Sequence, residues 1–242
     1  MGFVRMEQNE TSCWKMNVSV DRELGLYFID EETIREKVLD LGDPIINSNL
    51  KEIDISRIQN TISKIASVKD AKVYTTLDGQ LHIEVSQRTP IVRIINKDGS
   101  AFYLDRDFRI MPLSKNYTAK VPVFIGELNI SPNCLQNQPG DAHDIKSRQQ
   151  LEDIYQIVNS VSASEFWSAQ CEHFHVSSNG DYEIIPRVGG HKIILGDTNR
   201  LNRKFKKLEA FYKKTVNKMD LNRYTAINLK YKDQVVCTER AW

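Results

Sequence analysis

The 242-residue sequence has no apolar run approaching the roughly 18–20 residues that a bilayer-spanning helix needs. Its densest apolar patch, Ile91-Val92-Arg93-Ile94-Ile95, is short and broken by an arginine. Met1 to Glu10 holds no apolar h-region, so no signal peptide is read there and the chain as written is expected to be soluble. Charge of one sign is missing too: 33 basic and 32 acidic side chains leave a formal net charge of +1. That balance excludes a whole-protein pull toward nucleic acid or an acidic membrane. The four cysteines, Cys13, Cys134, Cys171 and Cys237, form no C-x-x-C pair, so metal-finger spacing is absent. They read as scattered buried thiols, although disulfide pairings stay open.

What is present is ordinary globular composition, 40% hydrophobic and 27% charged, with alternating strand and helix signals. Residues 1–13 read as a polar, frayed remnant. Trp14 to Val20 places Trp14, Met16, Val18 and Val20 on one face at period 2, a strand. Asp30 is placed as an N-cap with Glu31 and Glu32 in the first turn, and Ile34, Val38 and Leu41 form the buried stripe. Gly42 and Pro44 stop that helix. A second opens at Asp54 and carries Ile55, Ile58, Ile62 and Ile65. Val68 to Thr75 and Leu81 to Gln87 form a hairpin about Asp78-Gly79. Strand, helix, helix, strand, strand is thus complete by Arg88, and Thr89-Pro90 marks a joint.

Beyond the joint strands dominate: Ile91 to Ile95, Ala101 to Leu104, Phe108 to Met111 and Val121 to Ile125. Residues 126–144 read as a surface loop. A helix carries Ile145, Leu151, Ile154, Ile157, Val158 and Val161. Strands follow at Cys171 to Val176, Tyr182 to Ile185 and Lys192 to Leu195. Asp197 or Thr198 is expected to cap a long basic helix with Leu201, Phe205, Leu208, Tyr212, Val216 and Met219 as its apolar stripe. Tyr224 to Lys230 and Val235 to Thr238 close the chain. The expected fold class is α+β: a β-α-α-β-β domain at 14–89, then a β-rich mixed domain with two helices at 90–242.

Several of these segments carry a resemblance. Val68, Ala71 and Val73, then Leu81, Ile83 and Val85, then Arg88 and Pro90 resemble the V-x-x-a-x-V strand, L-x-I-x-V strand and R-x-P exit that end a POTRA domain. Asp98-Gly99-Ser100-Ala101-Phe102-Tyr103-Leu104-Asp105 resembles the element that follows the POTRA domain in the FtsQ (DivIB) family of bacterial cell-division proteins. Gly180-Asp181-Tyr182-Glu183-Ile184 and Ile193-Ile194-Leu195-Gly196 are similar to that family's g-d-w-x-l and I-x-L-G strands. Ile227-Asn228-Leu229-Lys230-Tyr231 stands where the family has D-L-R-Y, with Asn228 for the aspartate and Lys230 for the arginine. The resemblance runs from about Trp14 to Thr238, with an enlarged segment at 126–144.

The resemblance implies a non-enzymatic divisome scaffold in the cytoplasmic membrane, single-pass, with this region on the periplasmic side. The family's membrane helix precedes the first POTRA strand and is not in the sequence. The implied partners are FtsB/FtsL-like division proteins, bound by strand addition at Tyr231, Val235, Val236, Cys237 and Thr238, and other divisome members through the POTRA domain. A POTRA-containing assembly factor for unfolded envelope polypeptides is the nearest alternative, but 91–242 is too short and too helical for an outer-membrane barrel.

Enzyme chemistry has little to build on, and no cofactor is expected. His173 and His175 share a strand face and could hold zinc or copper, the basis of a metal-enzyme alternative. No H-x-x-x-H or acid triplet accompanies them, so a solvent-facing pair beside buried Phe174 is the plainer reading. Asp105 and Asp107 read as an Asp-rich turn rather than paired catalytic acids. Gly189-Gly190-His191-Lys192 lacks Walker spacing and reads as a hairpin turn. The basic helix, with Arg200, Arg203, Lys204, Lys206, Lys207, Lys213, Lys214 and Lys218, reads as a solvated face without nucleic-acid stacking groups.

Overall fold

The computed structural model describes residues 11–115, 117–135, 142–215 and 221–241. The expected fraying of residues 1–10 and the stripe positions Val216 and Met219 lie outside them. The chain divides into two compact units. One is built on residues up to Thr89 together with Ser114–Ala119, the other on Pro90–Leu113 and everything from Lys120 onward.

The first unit runs β1 (Lys15–Val20), α1 (Glu31–Leu39), α2 (Ile55–Ser63), β2 (Val68–Thr76) and β3 (Gln80–Gln87). β3 is central, parallel to β1 and antiparallel to β2. Asp30 and Asp54 cap the helices, accepting from Thr33 N at 2.8 Å and Arg57 N at 2.9 Å. Ile34, Val38, Ile58 and Ile62 bury against Met16, Val73, Leu81 and Ile83 in one core. Leu41 packs there from beyond the end of α1. Buried Gln87 ties the loop between β1 and α1: its Nε2 donates to Asp21 O and Leu26 O, and its Oε1 accepts from Phe28 N and Ile29 N.

The second unit continues with β4 (Pro90–Ile95), β5 (Ala101–Asp105), β6 (Ile110–Pro112), β7 (Val123–Gly126), α3 (Ala142–Ser162) and α4 (Glu165–Gln170). It ends with β8 (His173–Val176), β9 (Tyr182–Ile185), β10 (Lys192–Gly196), α5 (Leu201–Thr215), β11 (Tyr224–Asn228) and β12 (Val236–Glu239). All nine strands form one sheet in the order β12-β11-β10-β9-β8-β7-β4-β5-β6. α3 and α5 bury Leu151, Ile154, Ile157, Phe205 and Leu208 on the face bearing Val92, Phe124, Phe174, Ile184, Ile193 and Ile227. The α+β class, with a β-α-α-β-β unit ahead of a β-rich one, stands as expected.

Four local expectations need correction. Of the segment 126–144, residues 136–141 lie outside the described residues, and the rest is not simply a surface loop. Leu128, Ile130 and Cys134 are buried, a 3-10 turn spans Pro132–Leu135, and α3 already starts at Ala142. The cause is buried Asn96, whose side chain accepts from Ile130 N at 2.9 Å and donates to Ile130 O at 3.0 Å, as a neighbouring strand would. Among the described residues three α-helices, not two, serve the second unit, because Ser164 caps α4 and Trp167 buries its six-residue body. The strand expected from Phe108 starts only at Ile110. Asp105 Oδ1 accepts from Asp107 N and Arg109 N, which closes a tight turn with Phe108 at φ 58°. α5 begins at Leu201 rather than just after Asp197 or Thr198, since those side chains serve Lys204 and Asp153 instead.

Candidate docking edge

β12 is the terminal strand of the sheet and pairs antiparallel with β11 only. Asn228 faces Val236, Ile227 faces Cys237 and Ala226 faces Thr238. Among the described residues no strand lies beyond it. A terminal strand keeps a row of main-chain N–H and C=O groups that a further strand can pair with.

The alternation splits the expected docking residues into two sets. Val235 and Cys237 are half-buried and pack against the core beneath the helices. Val236 and Thr238 are exposed and point to the other face. Register carries that face across the sheet. Ile125, His175, Glu183, Ile194, Asn228 and Val236 make one row, and His173, Ile185, Lys192, Ala226 and Thr238 belong to the next. Tyr231, 49% exposed, stands in the connection between β11 and β12. The structure therefore brings Tyr231, Val236 and Thr238 to the surface and leaves Val235 and Cys237 as their footing.

The connection is held from α5. Lys207 Nζ donates to Leu229 O at 3.2 Å, to Tyr231 O, and to Gln234 O at 3.3 Å. Partial burial first, and then the neighbouring charges of Lys204 and Arg200, lower its pKa, with Asp233 pulling the other way. Lys204 is 6% exposed and reaches Asp197 O at 2.8 Å and Asp197 Oδ1 at 2.6 Å. These two lysines correct the reading of the basic helix as a solvated face. Leu201, Lys204, Phe205 and Leu208 share one helical stripe, so the long stem of Lys204 is packed while its ammonium reaches the carboxylate. That spacing was visible in the sequence, where charge alone governed the assignment. The two departures from D-L-R-Y also find local partners. Asn228 Oδ1 accepts from Lys230 N at 3.0 Å, and Lys230 Nζ meets Asp181 Oδ2 at 2.8 Å. A hollow beside the connection is lined by Arg200, Arg203, Lys207, Tyr231 and Lys232.

His173 and His175 do share a face, flanking buried Phe174. His175 Nδ1 lies 3.4 Å from Glu183 Oε2, but Lys192 Nζ holds the same carboxylate at 2.7 Å. Among the described residues no group of three or more His, Cys, Asp or Glu could hold one metal ion. Cys13, Cys134 and Cys171 are buried free thiols, and burial pushes Cys171 up to about 12, far from a reactive thiolate. His191 went unread as more than a turn residue. It is 3% exposed, and its Nε2 lies 2.7 Å from Tyr212 Oη.

Comparison with protein-family models adds an independent finding. Residues 89–238 match the model described as FtsQ/DivIB, C-terminal related, and residues 11–86 match the POTRA-like domain. No individual curated protein matches the chain.

Proposed function

The chain belongs to the FtsQ/DivIB C-terminal-related family, and from that membership we propose that it is a non-enzymatic scaffold of the division machinery. It works outside the cytoplasmic membrane, tethered by a helix preceding β1, and links early and late division proteins by protein–protein contacts. The observation that carries this reading is the outer edge of β12, which no strand covers among the described residues, next to an exposed Tyr231. A strand from an FtsB/FtsL-like pair adds to β12 through main-chain hydrogen bonds. Val236 and Thr238 read the partner's side chains, and Tyr231 serves as an aromatic anchor of the kind enriched at hot spots.

The test is hydrogen exchange of the chain with and without an FtsB/FtsL-like pair. Binding is expected to protect amides of residues 235–239 while those of β6 keep their free-state rates. Protection elsewhere with none on β12 would move the docking site.

The first unit is proposed as a separate module meeting other division proteins, with the joint at Thr89–Pro90. Expressed as residues 12–90, it is expected to give dispersed amide spectra. It would lack Tyr117, whose ring meets Phe28 at 4.9 Å and Tyr27 at 5.8 Å. A disordered spectrum would show that 12–90 does not fold by itself.

A further inference from the structure

β1 starts, and the β2–β3 hairpin turns, at the same end of the three-stranded sheet. Trp14 N donates to Gly79 O at 3.0 Å, and the indole Nε1 donates to Asp78 O at 2.7 Å. The only polar atom of the ring is thereby satisfied inside the turn while the residue stays 56% exposed. Gly79 makes this seat possible: its φ is +89°, and a Cβ there would stand 2.8 Å from Trp14 Cδ1. Beside it Leu77 is 98% exposed. Asn47 N donates to Cys13 O at 2.6 Å, which brings half-exposed Ile46 to the same end. Lys15 Nζ lies 5.9 Å from the Trp14 ring centre, and the acid of the turn, Asp78, keeps its carboxylate on Thr76 and Gln80.

A leucine this exposed does nothing for its own fold, and an apolar side chain left in water gains by being buried elsewhere. Three observations favour a lipid surface over a protein as what covers it. A tryptophan with its N–H satisfied and a lysine alongside is the composition found at membrane interfaces. The apolar groups sit on turn tips, which can enter a fluid surface but offer a protein no continuous patch. And β1 leads back from this end, so a membrane tether preceding it emerges here.

We propose that this end of the first unit dips into the headgroup layer of the membrane, with Leu77 and Trp14 as the inserted side chains. The inference rests on the membrane-tethered reading above. Two side chains would hold an untethered protein only weakly, but a tether raises the local lipid concentration enough for them to act. Their role is then to fix the orientation of the unit on the membrane rather than to anchor it.

The chain with an N-terminal His tag is to be held on phosphatidylcholine vesicles containing a nickel-chelating lipid and lipid-borne fluorescence quenchers. Trp14→Phe, measured in parallel, separates the emission of Trp14 from that of Trp167 and Trp242. Trp14 emission is expected to be quenched, and Leu77→Glu, a change at an exposed tip, is expected to remove most of that quenching with an unchanged circular dichroism spectrum. No quenching of tethered Trp14, or quenching that Leu77→Glu leaves intact, overturns the proposal. Shielding of Leu77 by an FtsB/FtsL-like pair in place of lipid overturns it too. The experiment supplies its own tether, so its failure would leave the membrane-tethered reading standing. Fractionation of cells carrying the native gene tests that reading separately.

Discussion

The two edges of the nine-stranded sheet are finished in opposite ways. β6 has three residues, ends in Pro112, and buries its central Met111. Proline brings no N–H, and a short strand offers few pairing groups, so this edge is blunted against further strands. β12 has no proline, exposes Val236, and borders a connection carrying Tyr231 in the open. Its guards are charges instead: Lys232 and Asp233 before it, and Glu239, paired with Arg223 at 2.8 Å, at its end. One sheet thus blunts one edge and leaves the other open to pairing. An open edge is therefore not an unavoidable by-product of this fold, which is why docking is proposed at β12 and not at β6.

The largest expected effect comes from erasing the difference outright. Deleting residues 232–242 removes β12 and is expected to abolish co-purification with an FtsB/FtsL-like pair. Val235 and Cys237 give up core contacts in that variant, so hydrogen exchange must show β4 and β5 still protected. A folded truncation that captures the pair at unchanged affinity would place docking elsewhere. A milder break is Cys237→Pro, which gives β12 the device that β6 already has. Leu229 N bonds Ile194 O in β10, so Asn228 and Val236 face each other across the β11–β12 ladder and the N–H of residue 237 is turned to the open edge. It deletes one main-chain donor, worth about 1 kcal/mol net as a hydrogen bond and more where the ring clashes. Capture is expected to weaken severalfold by titration calorimetry. Pro112→Val at the other edge is expected to leave capture unchanged.

How far the two edges could be read in the sequence differs for physical reasons. The β11–β12 hairpin announced itself through alternation at Tyr224 to Lys230 and Val235 to Thr238, and local periodicity suffices for that. The proline of β6 was visible, but its place at the sheet edge is set by long-range order, which no local pattern encodes. Asn96 and Gln87 escaped because a buried amide standing in for a neighbouring strand looks like any polar residue until its partners are known. Helix α4 escaped because a six-residue helix is too short for periodicity, although Ser164 ahead of Phe166-Trp167 carried a capping signal. At the proposed docking edge the alternation of exposed and half-buried residues was legible. What was not legible was the support beneath them, since Lys207 lies more than twenty residues from the carbonyls it holds.

That support sharpens the comparison next. Lys207→Met keeps the apolar stem but loses the three carbonyl contacts that hold the β11–β12 connection. Charge-assisted bonds at a partly solvated site leave a cost of about 1–2 kcal/mol. The expected outcome is faster amide exchange across residues 229–236 and weaker capture of the pair, with β5 and β6 unaffected. Unchanged exchange across that connection would show that α5 does not hold it.

The smallest effect tests whether the open-edge half is also the acid-sensitive half. His191 begins the segment leading into β10. Its neighbour Gly190 is bound by Asn222 Oδ1 at 3.2 Å and by Arg240 at 3.1 Å, the latter just past β12. Its Nε2 meets Tyr212, and its buried Nδ1 has no hydrogen-bond partner among the described residues. Burial disfavours the imidazolium, so the folded-state pKa lies below the ordinary 6.5. Stability from neutral His191 is therefore complete above pH 6.5 and is lost as pH falls through the folded-state value. Tyr212 adds no titration nearby, because desolvation raises its pKa far above this range. Exchange measured between pH 7.5 and pH 5, from about one unit above a histidine's usual pKa to about one and a half below it, is expected to show β10–β12 loosening in acid relative to β4–β6. His191→Gln can still hydrogen-bond Tyr212 but cannot take up a proton, so in that variant the two halves should respond to acid alike. If β10–β12 still loosens selectively in His191→Gln, another group carries the acid sensitivity of the docking half.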